Sequence, residues 1–241
     1  MRPQGRGRGF TITELLMAMT ASVITAGGIA SLFIVFSRVF RDGSAQMDIQ
    51  ARARHGLDRI TAGICGAERF AVQSSGDRLD VTVPVTNLRG NLTGSATTVP
   101  VNWTGAMPNS GVAHVGSEAI SYGAKDQQNL LSCVRGYGGT SASSHESNKI
   151  VYVKISYYLN GPSVYLNANG NPSAPSDERI IRSVEKIQGT NLFQIIPKGN
   201  TYRSDRVLVN FRCFDDRNKN HRRELSEPGL DFSLEAFPRN G

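Results

Sequence analysis

The segment FDDRNKNHRRELSEPGL, residues 214–230, carries oxygen-bearing side chains at a regular spacing. Counted from Asp216, positions 1, 3, 5, 7, 9 and 12 hold, in order, Asp216, Asn218, Asn220, Arg222, Glu224 and Glu227. A twelve-residue calcium loop uses side-chain oxygens at positions 1, 3, 5 and 12 and a backbone carbonyl at position 7. The spacing therefore predicts a structural Ca²⁺ ion that clamps this loop between two strands.

The same segment resembles the calcium loops of repeat domains on bacterial surface proteins, which end as residues 227–230, EPGL, do here. It departs from them at His221, where glycine usually makes the sharp turn. Three nearby basic residues also lower the local negative charge, namely Arg217, Lys219 and Arg223. A polar turn without a metal stays open as the alternative.

Glu14 is an isolated carboxylate at the start of a long apolar stretch. Residues 15–36 contain no charged side chain, and this run exceeds the roughly 18 residues that indicate a membrane span. A carboxylate inside such a helix costs about 2.5 to 3.5 kcal/mol and is usually kept for a specific partner. Arg2, Arg6 and Arg8 precede the span, and basic flanks tend to remain in the cytoplasm. The sequence predicts a single span with the rest of the chain extracytoplasmic.

The sequence contains none of the catalytic motifs for which we can name a mechanism. His145-Glu146 begins like the HExxH zinc site, but Lys149 takes the place of the second histidine, so two imidazoles cannot face one metal. The sequence has neither a GxSxG nucleophile elbow nor a phosphate loop. We expect the other histidines to be surface or turn residues, and Trp103 to serve in core or loop packing. The sequence predicts a protein that is not an enzyme.

The net charge of +7 at first favours a polyanionic partner. Three of the 27 basic residues are the leader arginines, so the chain beyond residue 9 carries about 24 basic against 20 acidic residues, a net charge of about +4. This is a weak signal, and nucleic acid is not the expected partner.

The three cysteines, Cys65, Cys133 and Cys213, are widely spaced and form no CxxC pair, which argues against a metal cluster. An extracytoplasmic compartment permits a disulfide, and three cysteines allow three single pairings. We predict Cys133 with Cys213, since both lie in predicted strands. Three small buried thiols remain the alternative.

Two patterns describe the elements that position these residues. Apolar residues recur every three or four positions over residues 44–67, which predicts an amphipathic helix continuing the apolar span. Together they predict one long helix over residues 10–68. If this helix bends or melts, we expect it to do so at Gly27, Gly28 or residues 42–44, because glycine destabilises a helix interior. An uninterrupted helix is the alternative.

Beyond residue 69 the pattern becomes short alternating runs separated by Gly, Asn, Pro and Ser clusters, which predicts strands. Asn160-Gly161-Pro162 predicts a hairpin turn, and residues 87–109 and 167–176 are predicted loops. The predicted strands are 78–85, 118–122, 130–135, 150–159, 163–166, 179–184, 192–196, 207–214 and 230–237. The fold class predicted is α+β, with a long hydrophobic N-terminal helix and a β-rich head.

A further stretch holds Glu118 to Tyr122, Arg135-Gly136, Gly139-Thr140 and His145. It resembles a small β module of pilin-like and phage-tail proteins, in which an EAI-x-Y strand precedes RG, GT and a later His. The resemblance implies compact β structure here, in preference to a binding site.

The N-terminus resembles the processing site of type IV prepilins. The residues that carry the resemblance are Gly9 before the cut, Phe10 after it, Thr11 and Thr13, and Glu14 as the fifth residue of the mature chain. Looser likeness around residues 53–67, in KISYYLNG and in RIIRSVEKI narrows it to PilW-like or J-type minor pilins and pseudopilins. A plain signal-anchor helix is the alternative for the N-terminus.

The resemblance implies a leader over residues 1–9, a helix over 10–68 with its transmembrane part at 10–36, and a head over 69–241. It implies cleavage by prepilin peptidase in the cytoplasmic membrane, methylation of the new amine, and assembly with other subunits into a type IV pilus or a type II secretion pseudopilus. Glu14 would then pair with the Phe10 amine of a neighbour. The alternatives are a filament-tip binding module for adhesion or DNA uptake, and a membrane-tethered enzyme.

Overall fold

The computed structural model describes residues 11–168, 177–198, 205–216, 220, 223–224 and 227–238. It has one long N-terminal apolar helix followed by a β-rich region with several antiparallel sheets, so the predicted α+β class is confirmed. The chain divides into two compact units, Met1–Met47 and Asp48–Gly241.

Helix α1 spans Ile12–Cys65. The strands are β1 Arg69–Val72, β2 Arg78–Asn87, β3 Val99–Pro100, β4 Gly111–Val115, β5 Glu118–Tyr122, β6 Ala124–Lys125, β7 Asn129–Leu131, β8 Ile150–Asn160, β9 Ser163–Asn167, β10 Glu178–Arg182, β11 Val184–Glu185, β12 Phe193–Ile196, β13 Arg206–Phe214 and β14 Gly229–Ala236. A 3-10 turn covers Tyr137–Gly139.

Helix α1 is helical at every residue between its ends, including Gly27, Gly28 and Gly43. The glycines therefore do not melt it. It ends at Cys65, three residues before the predicted end, because its last turn tightens: the Ala67 N–H donates to the Ile64 carbonyl at 3.0 Å.

In the second unit, α1 buries one stripe of small and branched side chains, consisting of Ile49, Ala53, Gly56, Ile60 and Ile64. Their spacing of three and four residues places them on one helical face, as the sequence pattern predicts. This stripe joins the larger of two hydrophobic cores.

The seven-stranded sheet is built around β8. One edge of β8 pairs with β2, while the other edge pairs with β4 over its first half and with β9 over its second half. Strands β1, β5 and β10 pair with β2, β4 and β9 in turn. The predicted hairpin turn is confirmed, with Asn160 opposite Ser163 and Gly161 at a φ of 56°.

A second sheet is built around β13. All of β14 pairs with one edge of β13, and the other edge pairs with β12 and β11. The inward side chains of both sheets and the α1 stripe form the first core, which includes Tyr157, Ile181, Phe193 and Phe211.

Residues 88–149 lie between the paired strands β2 and β8, and we call them the inserted module. They supply most of a second core, which includes Leu88, Val101, Ile120 and Leu130 and also takes in Val151 and Val153 of β8. A small sheet in the order β3-β7-β6 belongs to this module.

Two strand predictions and one loop prediction need correction. The predicted strand 130–135 ends at Leu131, because Ser132 turns the backbone with a φ of 53°. The predicted strand 179–184 divides into β10 and β11 at Ser183, whose φ is 55°. The predicted loop 87–109 contains β3 and buries apolar side chains, namely Leu88, Leu92, Val99, Val101 and Met107.

Candidate functional site

Glu14 and Thr11 form a reciprocal hydrogen-bonded cap at the start of α1. The Thr11 N–H and hydroxyl each donate to Glu14 Oε2 at 2.9 Å, and the Glu14 N–H donates to Thr11 Oγ1 at 3.3 Å. With Thr11 as N-cap and Glu14 three residues later, this is a capping box. The predicted processing residues, Gly9 and Phe10, lie outside the described residues.

The apolar part of α1 presents its side chains outward along its whole length. Its large hydrophobic residues from Ile12 to Phe40 are all at least half exposed, and the helix is long and apolar enough to cross a membrane. The charge-free run of residues 15–36 lies wholly within this part.

Hydroxyl groups in this apolar part are satisfied by the helix itself. The side chains of Ser22, Thr25 and Ser31 donate to the carbonyls four residues earlier, at 2.7, 2.8 and 2.9 Å. Thr20 donates to Leu16 and Met17 carbonyls at 3.1 and 3.0 Å. Back-bonding of this kind lets small polar residues lie in an apolar solvent. Glu14 is the one charged residue of the segment 14–36, and Thr11 is its described hydrogen-bond partner.

The most tightly built polar cluster of the described head surrounds Glu118, on β5. Arg135 donates to both carboxylate oxygens, from Nε and Nη2, each at 2.7 Å. His145 Nε2 donates to Oε2 at 2.7 Å, and the backbone N–H groups of Gly136 and Ser143 donate at 3.1 and 3.2 Å. The Glu118 side chain is fully buried, and those of Arg135 and His145 are 6% and 10% exposed.

The electrostatics of Glu118 follow from these five contacts. Burial alone raises the pKa of a carboxyl group, because it disfavours the charged form. Here the hydrogen bonds from Arg135, His145, Ser143 and Gly136 outweigh burial and lower the pKa of Glu118 to about 2. The carboxylate is ionised and all its acceptor capacity is occupied, so it holds the segment 135–145 against β5 and has no free lone pair for acid–base chemistry.

The polar members of the EAI-x-Y, RG, GT and His pattern meet in this cluster, while Ile120 and Tyr122 lie in the second core. The Ala119 N–H donates to Thr140 Oγ1 at 3.0 Å, and Thr140 Oγ1 donates to the Tyr137 carbonyl at 2.9 Å. Gly136 has a φ of 65°, and a Cβ there would lie 2.8 Å from the Thr140 carbonyl oxygen. The pattern therefore encodes a loop closure.

An open groove of about 650 Å³ crosses the face of the large sheet, lined by β1, β2, β8 and the β4–β5 turn. Asp80 in its floor accepts hydrogen bonds from Arg78 at 2.8 Å and Ser156 at 2.6 Å and pairs with Lys154 at 2.9 Å. Burial raises the pKa of Asp80, but these contacts outweigh it and the net pKa is lowered. Burial and Lys154 lower the pKa of His114. Asp80 is thus neutralised within the groove by Arg78 and Lys154.

The predicted calcium residues are only partly covered. Asn218 and Arg222 lie outside the described residues. Among those described, the Glu224 N–H donates to Glu227 Oε2 at 3.0 Å, and Asn220 Nδ2 donates to Glu224 Oε1 at 3.2 Å. No group of three or more His, Cys, Asp or Glu side chains in the described part of the chain is placed to hold a metal. The Ca²⁺ ion stays a prediction from the sequence, because the positions of Asp216 and the other described residues of the segment do not support it.

The predicted disulfide is not formed. Cys65, Cys133 and Cys213 are all free thiols. Cys213 lies in the first core and Cys133 in the second, where its thiol donates to the Leu130 carbonyl at 3.3 Å. Burial raises the pKa of Cys213 to about 12 and also raises that of Cys133. The predicted pairing has no support in the structure, because Cys133 follows β7 in the inserted module and Cys213 lies in the other core, and both are buried as in the alternative of buried thiols.

Trp103 is the residue whose setting the sequence did not indicate. We expected packing in a core or loop; Trp103 is 58% exposed and its ring lies beside the Gly105 backbone of the same loop. The neighbouring Gly105 could have pointed to a close approach, although not to which group approaches.

Comparison of the chain with protein-family models, with curated proteins and with solved structures gave no match in any of the three.

Proposed function

We propose that this protein is a minor pilin-like or pseudopilin-like subunit, which assembles into a type IV pilus or a type II secretion pseudopilus. The observation that carries the proposal is the placement of Glu14. It is the one acid at the start of an apolar helix whose outward side chains are otherwise uncharged through residue 36. The proposed role is assembly, with no catalytic step.

The leader supports the proposed topology. Its arginines favour a cytoplasmic N-terminus, and Gly9 followed by Phe10 matches the prepilin cut. After cleavage the helix would remain in the cytoplasmic membrane, and the head would lie outside. The subunit would then leave the membrane to join a filament, with prepilin peptidase and other pilin subunits as its partners.

The proposed assembly role of Glu14 is electrostatic. Among the described residues, the hydrogen bonds to its carboxylate come from Thr11, in the first turn. A neutral capping bond leaves the negative charge uncompensated, and a charge in an apolar medium is costly. In a filament the freed Phe10 amine of a neighbour would supply a positive partner and set the register between subunits.

A comparison of Glu14→Gln with Glu14→Asp tests this role. Glutamine also completes a capping box, so Glu14→Gln keeps the cap and removes the charge. We expect Glu14→Gln to leave membrane insertion and helix content unchanged while abolishing recovery of the subunit in sheared filaments. Glu14→Asp, which keeps the charge, should retain part of that recovery. Full incorporation of Glu14→Gln would show that capping alone accounts for Glu14.

A further inference from the structure

Trp103, the only tryptophan of the chain, lies in the loop between β3 and β4 and is 58% exposed. Other large apolar side chains of this loop, Val101 and Met107, are buried. Burial of a tryptophan is strongly favourable, so an indole left in water on an ordered loop calls for an explanation.

The loop that carries Trp103 is held in one conformation. Lys125 Nζ donates to the carbonyls of Thr104, at 2.9 Å, and of Met107. The Thr104 hydroxyl donates to the Asp126 carbonyl, and its N–H donates to the Gln127 carbonyl at 3.2 Å. The buried side chains of Thr104 and Met107 anchor the loop on both sides of Gly105. The indole is therefore presented by a rigid support, which lowers the entropy cost of binding.

Gly105 fixes the position of the ring. A Cβ at residue 105 would lie 1.9 Å from Trp103 Cζ2 and 2.3 Å from Cε2. The six-membered ring thus rests against the Gly105 backbone, in space that any other residue would fill. Trp103 is 58% exposed, so it offers aromatic surface to solvent while the Gly105 backbone supports its six-membered ring.

The surroundings of this surface are polar and close to neutral. Asn102 precedes Trp103 in the chain. The backbone carbonyls of Gln127 and Gln128 accept from the N–H groups of Thr104 and Val101 at 3.2 and 2.8 Å, and all three amide-bearing residues are exposed. Arg89 donates to Gln128 Oε1 and lies near Asp126, whose pKa it helps to lower. Arg89 and Lys125 are positive and Asp126 is negative, and the Lys125 ammonium is held by loop carbonyls, so the rim carries a net charge of only about +1.

We propose that Trp103 is the stacking platform of a binding site for a neutral saccharide. The C–H face of a pyranose ring is attracted to the negative face of an indole, and its hydroxyl groups fit amide donors and acceptors. A nucleic acid would require a surplus of basic residues along its backbone. A protein interface would require a larger apolar centre than one side chain.

This inference is independent of the proposed assembly function, because it concerns only the inserted module. The test uses the full chain in lauryldimethylamine oxide, since maltoside and glucoside detergents carry competing sugar headgroups. The probes are cellotetraose, chitotetraose and maltotetraose. Because Trp103 is the only tryptophan, its emission reports binding directly, and we expect a saturable change with at least one probe.

Variants test whether Trp103 contacts the bound sugar or only lies near it. Gly105→Ala keeps the indole but displaces it, and should weaken binding at least about fivefold. Calorimetry, which needs no tryptophan signal, should show loss of binding in Trp103→Ala and partial binding in Trp103→Phe. Val134→Ala, at another exposed apolar residue, should bind like the unaltered chain. Equal thermal melts of all variants would establish that they fold.

Three results would overturn the proposal. The first is no saturable change in emission with any of the three tetrasaccharides. The second is unaltered sugar binding by Trp103→Ala. The third is a response to an oligothymidylate or to a peptide in place of the sugars, which would assign the surface to another class of ligand.

Discussion

Glu118 and Arg135 form a buried ion pair with two parallel hydrogen bonds, each 2.7 Å long. Such two-bond geometry is the strongest arrangement between a carboxylate and a guanidinium. Arg135 also donates to the backbone carbonyls of Thr93 and Ser143. The pair therefore joins three separate parts of the inserted module around one charge.

Removal of the carboxylate should destabilise the inserted module. Glu118→Ala leaves Arg135 buried without its partner, which costs about 3 to 5 kcal/mol. We expect faster amide exchange across residues 118–145, measured by hydrogen exchange and mass spectrometry on the full chain. Glu146→Ala, at an exposed acid nearby, is the matched control and should leave exchange unchanged. Equal exchange in both variants would refute a structural role for the pair.

Acid should weaken the same region in a defined window. Folding lowers the pKa of Glu118 from 4.5 to about 2, so the folded state binds this proton less readily than the unfolded state. Its contribution is complete above about pH 4.5 and is lost as the pH falls towards 2, a change of about 3 kcal/mol. Glu118→Gln should lack this part of the acid dependence. If its exchange profile between pH 5 and 2 parallels that of the unaltered chain, the assignment fails.

Two helical glycines should respond oppositely to alanine. A Cβ at Gly56 would lie 2.1 Å from Ile181 Cγ1, whereas nothing lies within 4 Å of one at Gly43. We expect Gly56→Ala to lower stability by about 1 to 3 kcal/mol through overpacking, and Gly43→Ala to raise helix stability by up to about 1 kcal/mol. Thermal melts followed by circular dichroism measure both. A Gly56→Ala variant as stable as Gly43→Ala would contradict the packing of α1 on β10.

Thiol counting tests the corrected cysteine assignment. Alkylation of the native full chain without reductant should label Cys65, which is partly exposed, and spare Cys133 and Cys213, which are buried. Denaturation without reductant should then expose two further thiols. A disulfide-linked peptide pair that contains Cys133 and Cys213 would contradict the assignment of free thiols and support the disulfide predicted from the sequence.

Elements with a clear period could be predicted from the sequence. The helix stripe from Ile49 to Ile64 and the long strands β8 and β13 were found because their side chains alternate or recur with burial. Strand β4 was missed, since four of its five residues are buried and no alternation appears. Strands β3 and β6 have two residues each and carry no period at all.

The sites depended on contacts between distant residues. The pattern around residues 118–145 marked a β module, but only the fold shows Glu118 as a fully buried carboxylate with His145 and Arg135 around it. Cys133 and Cys213 could not be assigned to separate cores without the topology of the inserted module. The exposure of Trp103 depends on a loop tied down by Lys125, more than twenty residues further along the chain.

The identity of the first residue of the mature chain tests the central claim most directly. The full chain is expressed together with a prepilin peptidase, extracted from membranes and sequenced from its N-terminus. The account predicts a chain that begins at Phe10, with Gly9→Val remaining uncut as a control. A chain that still begins at Met1 beside an active peptidase, shown to cut a known prepilin in the same cells, would contradict it.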